Sequence, residues 1–98
     1  MKNKFLITML LTISSLASAN EEISRGKTKS VTCAACHGAN GISQNPLWPN
    51  LAGQKKDYIL KQLKDLKEGR RQDPIMSPMA MTLSEQDMVD LGSYYSSL

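Results

Sequence analysis

The sequence has 98 residues, with 12 lysines and arginines against nine aspartates and glutamates, and a formal net charge of +3 at pH 7. Two of the basic residues and none of the acidic ones lie within residues 1–19, so residues 20–98 carry a net charge of +1. A charge so close to zero argues against nucleic-acid binding, which calls for a clearly basic face. The small size predicts one domain, whose hydrophobic core alone would give only marginal stability.

The first 19 residues have the pattern of a secretory signal peptide. Lys2 and Lys4 precede an apolar run from Phe5 to Leu16, and Ala17-Ser18-Ala19 supplies the small residues before a cleavage site. We expect cleavage after Ala19, export to the periplasm and a single domain over residues 20–98. The alternative is a retained membrane anchor, but the apolar run falls short of the ~20 residues that cross a bilayer. After removal of the signal we expect no stable membrane insertion.

The first predicted helix runs from Glu22 to Ala35 and leads into the sequence Cys33-Ala34-Ala35-Cys36-His37. This C-x-x-C-H pattern is the attachment sequence of a c-type haem, because two cysteines so spaced can each add a sulfur to one vinyl group of the same porphyrin. The adjacent histidine can then supply a ring nitrogen to the iron as the proximal ligand. It is the only histidine in the chain.

Three other interpretations of the motif compete with haem attachment. A disulfide of the thioredoxin type would need a βαβ setting, and the sequence shows no alternation of strands and helices. A zinc site would need a fourth protein ligand, usually from a second Cys or His pair, which the chain lacks. A coincidental match is disfavoured by the predicted export, since bacteria attach c-type haem in the periplasm.

Two further helices are predicted after a non-helical connection. Gly38 and Gly41 end the first helix, and prolines interrupt residues 42–53. The second helix runs from about Gln54 to Glu68, and the third begins at the N-cap candidate Ser84. We expect the third helix to pack against the first. The apolar stripes of the second and third helices are Ile59, Leu63 and Leu66, and Met88, Leu91 and Tyr95.

A methionine is expected as the sixth ligand of the iron, because an electron carrier keeps its iron six-coordinate and a thioether raises the reduction potential. Three methionines follow the second helix: Met76, Met79 and Met81. Met76 is favoured because prolines two residues away on either side would hold it in a stiff, non-helical turn. Met79 and Met81 stay open as alternatives, and methionine also fills gaps in cores.

Several segments together resemble class I cytochromes c of the short bacterial monohaem type, which are also similar to each half of bacterial dihaem cytochromes c. The resemblance covers nearly all of residues 20–98 and implies an all-α, compact cytochrome c fold, with three main helices around one covalently attached haem. The segments are Gly26-Lys27, Cys33 to Gly38, Pro49 to Gln54, Tyr58 to Leu63, Leu83 to Asp87, Asp90-Leu91 and Tyr94-Tyr95.

The resemblance also implies roles for individual residues. The ligating methionine lies seven residues before the leucine of the L-S-x-Q-D segment, which is Met76. The proline whose carbonyl accepts a hydrogen bond from the proximal histidine lies twelve residues after it, which is Pro49. The first and last helices should cross at Gly26, against the face of Leu91 and Tyr94.

One departure from the family pattern lies between the second helix and Met76, where only residues 69–75 intervene. Some relatives carry a longer loop there, which puts the contacts to the haem propionates in doubt. Trp48, Arg70 and Arg71 are candidates for these contacts, because indole and guanidinium groups donate to carboxylates. The alternative for the arginines is plain surface exposure.

We expect these residues to form a periplasmic single-electron carrier, not an enzyme. The resemblance implies redox proteins as donor and acceptor, such as a quinol-oxidising cytochrome complex and a terminal oxidase or peroxidase, and a monomer or weak dimer. The main alternative is a haem enzyme or gas sensor with an open sixth position, for which the chain offers no second histidine. A module docked permanently to a larger complex is a third option.

Overall fold

A computed structural model describes residues 18–98, and within them all regular structure is helical. Helix α1 covers residues 18–29 and is followed by a 3-10 turn, Ser30–Thr32. The helices that follow are α2 (Ala34–His37), α3 (Lys56–Glu68), α4 (Met76–Met81) and α5 (Glu85–Ser96). Of the predicted signal peptide, residues 1–17 lie outside the described part. None of the helices in residues 18–98 is both long and apolar enough to span a membrane.

The first α-helix ends before the C-x-x-C-H motif, where a continuous helix was predicted, and a 3-10 turn follows it. The Ser30 and Thr32 hydroxyls donate to the carbonyls of Lys27 and Lys29, at 2.7 and 3.1 Å. Such side-chain bonds compete with the regular helical ladder, and the backbone tightens into the 3-10 turn. The prediction of one helix from Glu22 to Ala35 is therefore wrong in its continuity, since the 3-10 turn interrupts it.

The core lies where α3 packs against α5. Both predicted apolar stripes are buried, and they consist of Ile59, Leu63 and Leu66 on α3 and Met88, Leu91 and Tyr95 on α5. Ser84 caps α5 as predicted: its hydroxyl accepts from the Asp87 N–H at 3.0 Å, and the Asp87 carboxylate accepts from the Ser84 N–H at 2.9 Å. The apolar stripe of α5 faces α3, and Ile23 of α1 also packs against the core cluster that contains this stripe.

Helix α1 crosses α5 at Gly26, where the backbones are in close contact. A Cβ atom on Gly26 would lie 2.0 Å from the Asp90 carbonyl oxygen and 2.7 Å from Tyr94 Cβ. Only a residue without a side chain allows this approach. The crossing that the family resemblance implied is therefore present.

Helix α4 corrects the prediction of a non-helical turn around Met76. Pro78 is its third residue, a position at which the backbone N–H has no partner within the helix, so a missing donor does no harm. The Asp73 carboxylate accepts from the N–H groups of Met76 and Ile75, at 2.7 and 2.9 Å. These two bonds hold the pKa of Asp73 below its usual range and set the position at which Met76 enters the helix.

Two polar clusters join α1 to the rest of the fold. Arg25 donates to both carboxylate oxygens of Asp90 on α5, at 2.9 and 3.1 Å. Burial opposes the ionisation of Asp90, but the bonds from Arg25 and Gln86 outweigh it and lower its pKa. Glu22 accepts from Ser93 at 2.6 Å and from Lys56 at 2.9 Å, and these bonds lower its pKa.

We expect the folded protein to lose stability in acid through these carboxylates. Since their pKa values are lower in the folded than in the unfolded chain, their contribution is complete above the unfolded values of about 3.9 for Asp and 4.3 for Glu, and is lost as the pH falls through the folded values. Urea unfolding between pH 7 and pH 3 should show the loss below about pH 4.

The Asp90→Asn variant should flatten this pH dependence, while Asp57→Asn, which removes an exposed carboxylate of α3, should leave it close to that of the parent. If both variants lose stability in acid as steeply as the parent protein, the bonds of Asp90 are not the source of the effect.

Candidate haem site

A cavity of about 470 Å³ opens between α3, α4, α5 and the loop that follows α2. Most of its wall is apolar, and the apolar lining includes Leu51, Ile59, Leu63, Leu66, Leu83 and Leu91. The predicted attachment cysteines and iron ligands also line it: Cys33, Cys36, His37 and Met76. A concave, mainly apolar site with a few polar groups is typical of cofactor binding.

His37 is held in one orientation by the loop. Its imidazole is buried, and Nδ1 lies 2.8 Å from the carbonyl oxygen of Pro49. Because a carbonyl can only accept, Nδ1 carries the proton and Nε2 keeps its lone pair for a metal. The loop is itself fixed, since the Gly41 carbonyl accepts from the N–H groups of Leu51 and Ala52 at 2.8 and 3.0 Å.

Both cysteines are free, half-buried thiols on the same wall of the cavity. The Cys36 N–H donates to the Cys33 carbonyl at 3.3 Å, so the two residues lie within a single tight turn. Gly38 then ends α2 with a φ of 86°, and a Cβ atom there would lie 1.9 Å from the Ile42 carbonyl oxygen. The glycine lets the chain reverse directly behind the motif and bring Pro49 back to His37.

The three candidate methionines differ in their position. Met76 is half-buried, lines the cavity and packs against the core cluster. Met79 also lines the cavity and is 38% exposed, whereas Met81 is 61% exposed and is not part of the lining. The structure thus leaves two thioethers, one turn apart on α4, that face the cavity.

The candidates for propionate contacts also differ in whether they line the cavity. Trp48 and Arg71 line the cavity, and Arg71 donates to the Gln62 side chain at 3.0 Å. Arg70 is not part of the lining and is exposed. Its guanidinium is paired with Asp65 at 2.9 Å and with Glu68.

The residues present fit a covalently attached haem. Two thiols, an imidazole with a free nitrogen and a thioether meet around an apolar space, which suits a flat, apolar macrocycle with a central iron. The zinc alternative gains no support, since residues 18–98 contain no cluster of three or more His, Cys, Asp or Glu side chains that could hold a metal ion. The thioredoxin alternative would need strands, which the described residues lack.

One residue of the cavity wall was predicted only as part of the core. Tyr95 lines the cavity, and its hydroxyl is buried without a hydrogen-bond partner in the described residues. The sequence feature that could have indicated a role at the site is the presence of a hydroxyl in an otherwise apolar stripe.

Comparison with known proteins places the chain among cytochromes. A family model described as Cytochrome c matches residues 23–98. Cytochrome c4 of Pseudomonas aeruginosa is 42% identical over 97 residues, which cover 97% of this chain and 48% of that protein. Cytochrome c-554(548) of Halomonas halodenitrificans is 41% identical over 75 residues, which cover 74% of this chain and 90% of that protein.

The chain is also similar to a solved structure. The crystal structure of reduced recombinant cytochrome c4 from Pseudomonas stutzeri is similar with a TM-score of 0.72 and 40% identity, over 76% of this chain and 44% of that one. The chain therefore spans about half the length of the cytochrome c4 proteins that it matches.

Proposed function

The chain belongs to the cytochrome c family, and from this premise we propose that it is a single-electron carrier with one haem c. In this proposal Cys33 and Cys36 would attach the haem, and His37 and Met76 would ligate its iron. The observation that carries the proposal is the presence of all four side chains on one apolar cavity. When bound, the haem supplies the Fe(II)/Fe(III) couple that takes up and releases one electron.

The protein's own residues would set the conditions for that couple. The Pro49 carbonyl fixes the tautomer and the ring plane of His37, and it makes the imidazole a stronger ligand. The Met76 thioether favours the reduced iron and so raises the potential. The leucines and isoleucines of the wall would keep water from the centre, and Trp48 and Arg71, which also line the cavity, would donate to the propionates.

We further propose that the protein works in the periplasm and exchanges electrons with redox proteins. A quinol-oxidising cytochrome complex as donor and a terminal oxidase or peroxidase as acceptor fit such a carrier. The contacts should be small and transient, as is usual for redox encounters. An enzyme or gas sensor would need an open sixth position, and the two thioethers that face the cavity disfavour this.

Protein expressed in the periplasm should retain its haem through acid-acetone extraction, because thioether bonds survive a treatment that removes non-covalent haem. Its reduced spectrum should be low-spin and unchanged by carbon monoxide. The double variant Cys33→Ala/Cys36→Ala is the control, and extraction should remove whatever haem it holds. Loss of haem from the parent protein, or ready binding of carbon monoxide to it, would contradict the proposed carrier.

A further inference from the structure

The hydroxyl of Tyr95 lies in the cavity wall, and the proposed haem attachment and ligation give it no role. The side chain is 2% exposed, and its oxygen is the one buried side-chain nitrogen or oxygen in residues 18–98 without a hydrogen-bond partner. Buried polar groups in native proteins are nearly always paired. A phenylalanine would fill the same space without that requirement, so the hydroxyl calls for a hydrogen-bond partner.

The ring cannot turn away easily to find another partner. The Tyr95 carbonyl accepts from the Gly53 N–H at 2.8 Å, which ties this part of α5 to the loop. The ring packs against Tyr94, with centroids 5.2 Å apart and planes tilted by 52°. The hydroxyl is therefore held at its place in the wall.

Two polar side chains lie beside this hydroxyl, Cys33 and Ser30. Ser30 already donates to the Lys27 carbonyl at 2.7 Å. Cys33 lines the same cavity as Tyr95 and packs against the core cluster to which Tyr95 belongs. Its sulfur is the atom that changes when a porphyrin is attached, from a thiol to a thioether that can only accept a hydrogen bond.

We propose that Tyr95 is a positioning residue of the haem site, whose hydroxyl donates to the sulfur of Cys33 once that sulfur is a thioether and thereby raises the reduction potential. The inference rests on the proposed function, since it requires the haem. The phenol is suited to this role because burial raises the pKa of Tyr95 far above its usual value and keeps it a donor.

The direction of the effect follows from electrostatics. A donated O–H would place the positive end of its dipole beside the thioether that attaches the haem. The oxidised centre carries one more positive charge than the reduced one, so this dipole disfavours oxidation, and the interaction is strong in an apolar interior. Hydrogen bonds of this kind are among the means by which proteins tune haem potentials.

The test is a potentiometric titration of the haem-loaded protein and its Tyr95→Phe variant. We expect the variant to have the lower potential, with an equilibrium against a reference couple shifted up to about tenfold, or about 59 mV for one electron. Its low-spin spectrum should be unchanged, because a phenylalanine keeps the packing. In the reduced parent protein, NMR should show a Tyr95 hydroxyl proton that exchanges slowly with water.

Two matched controls separate this role from a purely structural one. Tyr94→Phe removes the same atom from the neighbouring ring, which does not line the cavity, and should leave the potential unchanged. Ser30→Ala should also leave it unchanged, whereas a loss equal to that of Tyr95→Phe would make Ser30 the partner and overturn the inference.

An unchanged or higher potential in a Tyr95→Phe variant that still holds its haem would overturn this inference alone. Failure of the parent protein to retain haem would overturn the proposed function and, with it, the inference.

Discussion

Replacing Met76 with alanine is expected to open a coordination site on the iron, so that carbon monoxide binds to the reduced haem of the variant but not to that of the parent protein. The substitution removes a thioether that α4 contributes to the cavity and leaves the cavity wall otherwise intact. Without a sulfur ligand the ferric state is less disfavoured, so the potential should fall by a sizeable part of the ~0.8 V that axial ligands span. Absorption spectra of the reduced variant with and without carbon monoxide, and a redox titration, measure both effects.

Met79 requires its own control, because it also lines the cavity one turn further along α4. Met79→Ala should keep the low-spin spectrum and should not bind carbon monoxide. If Met76→Ala keeps a low-spin spectrum, the double variant Met76→Ala/Met79→Ala shows whether Met79 has replaced the missing sulfur. An open site in Met79→Ala, with Met76 still present, would mean that the ligand has been assigned to the wrong methionine.

The predictable part of this protein depends on residues that are close in sequence or repeat with a helical period. Cys33, Cys36 and His37 share one wall of the cavity because they occupy a single turn. The stripes on α3 and α5 follow from the spacing of their leucines, and the burial of those stripes fixes the main interface of the core.

Other features depend on atoms that the sequence pattern does not bring together. The helix at Met76 begins where the Asp73 carboxylate accepts two backbone N–H groups, and Pro78 lies in its first turn, where its missing N–H does no harm. The 3-10 turn before Cys33 depends on serine and threonine hydroxyls that bond to carbonyls three residues earlier.

Long-range placement also decides which of two adjacent residues can act at the site. Arg70 and Arg71 are equivalent in the sequence, but only Arg71 lines the cavity, because Arg70 turns to Asp65 and Glu68 at the end of α3. Likewise, the sequence shows that Tyr95 belongs to an apolar stripe, but not that its hydroxyl lies unpaired beside Cys33.

The largest loss of stability is expected from Gly26→Ala, at the crossing of α1 and α5. The new Cβ would lie 2.0 Å from the Asp90 carbonyl oxygen, a backbone atom that cannot rotate away. The helices must then separate, which also strains the Arg25–Asp90 bonds. Overpacking of this kind costs typically 1–3 kcal/mol, and we expect about 3 kcal/mol or more here, because the clash is with backbone. This would lower the melting temperature of the haem-loaded protein by about 10 °C or more.

Gly92→Ala on α5 is the matched control, because both glycines are helical and both variants gain similar helix propensity, up to about 1 kcal/mol. Its Cβ would lie 2.9 Å from the Lys56 carbonyl oxygen, which is also a backbone atom, so the helices must shift, but by much less than the 2.0 Å contact at Gly26 requires. Thermal and urea unfolding should therefore show a much larger loss of stability for Gly26→Ala than for Gly92→Ala. Equal losses would show that α1 can adjust its crossing of α5, and that the close approach at Gly26 is not what holds the two helices together.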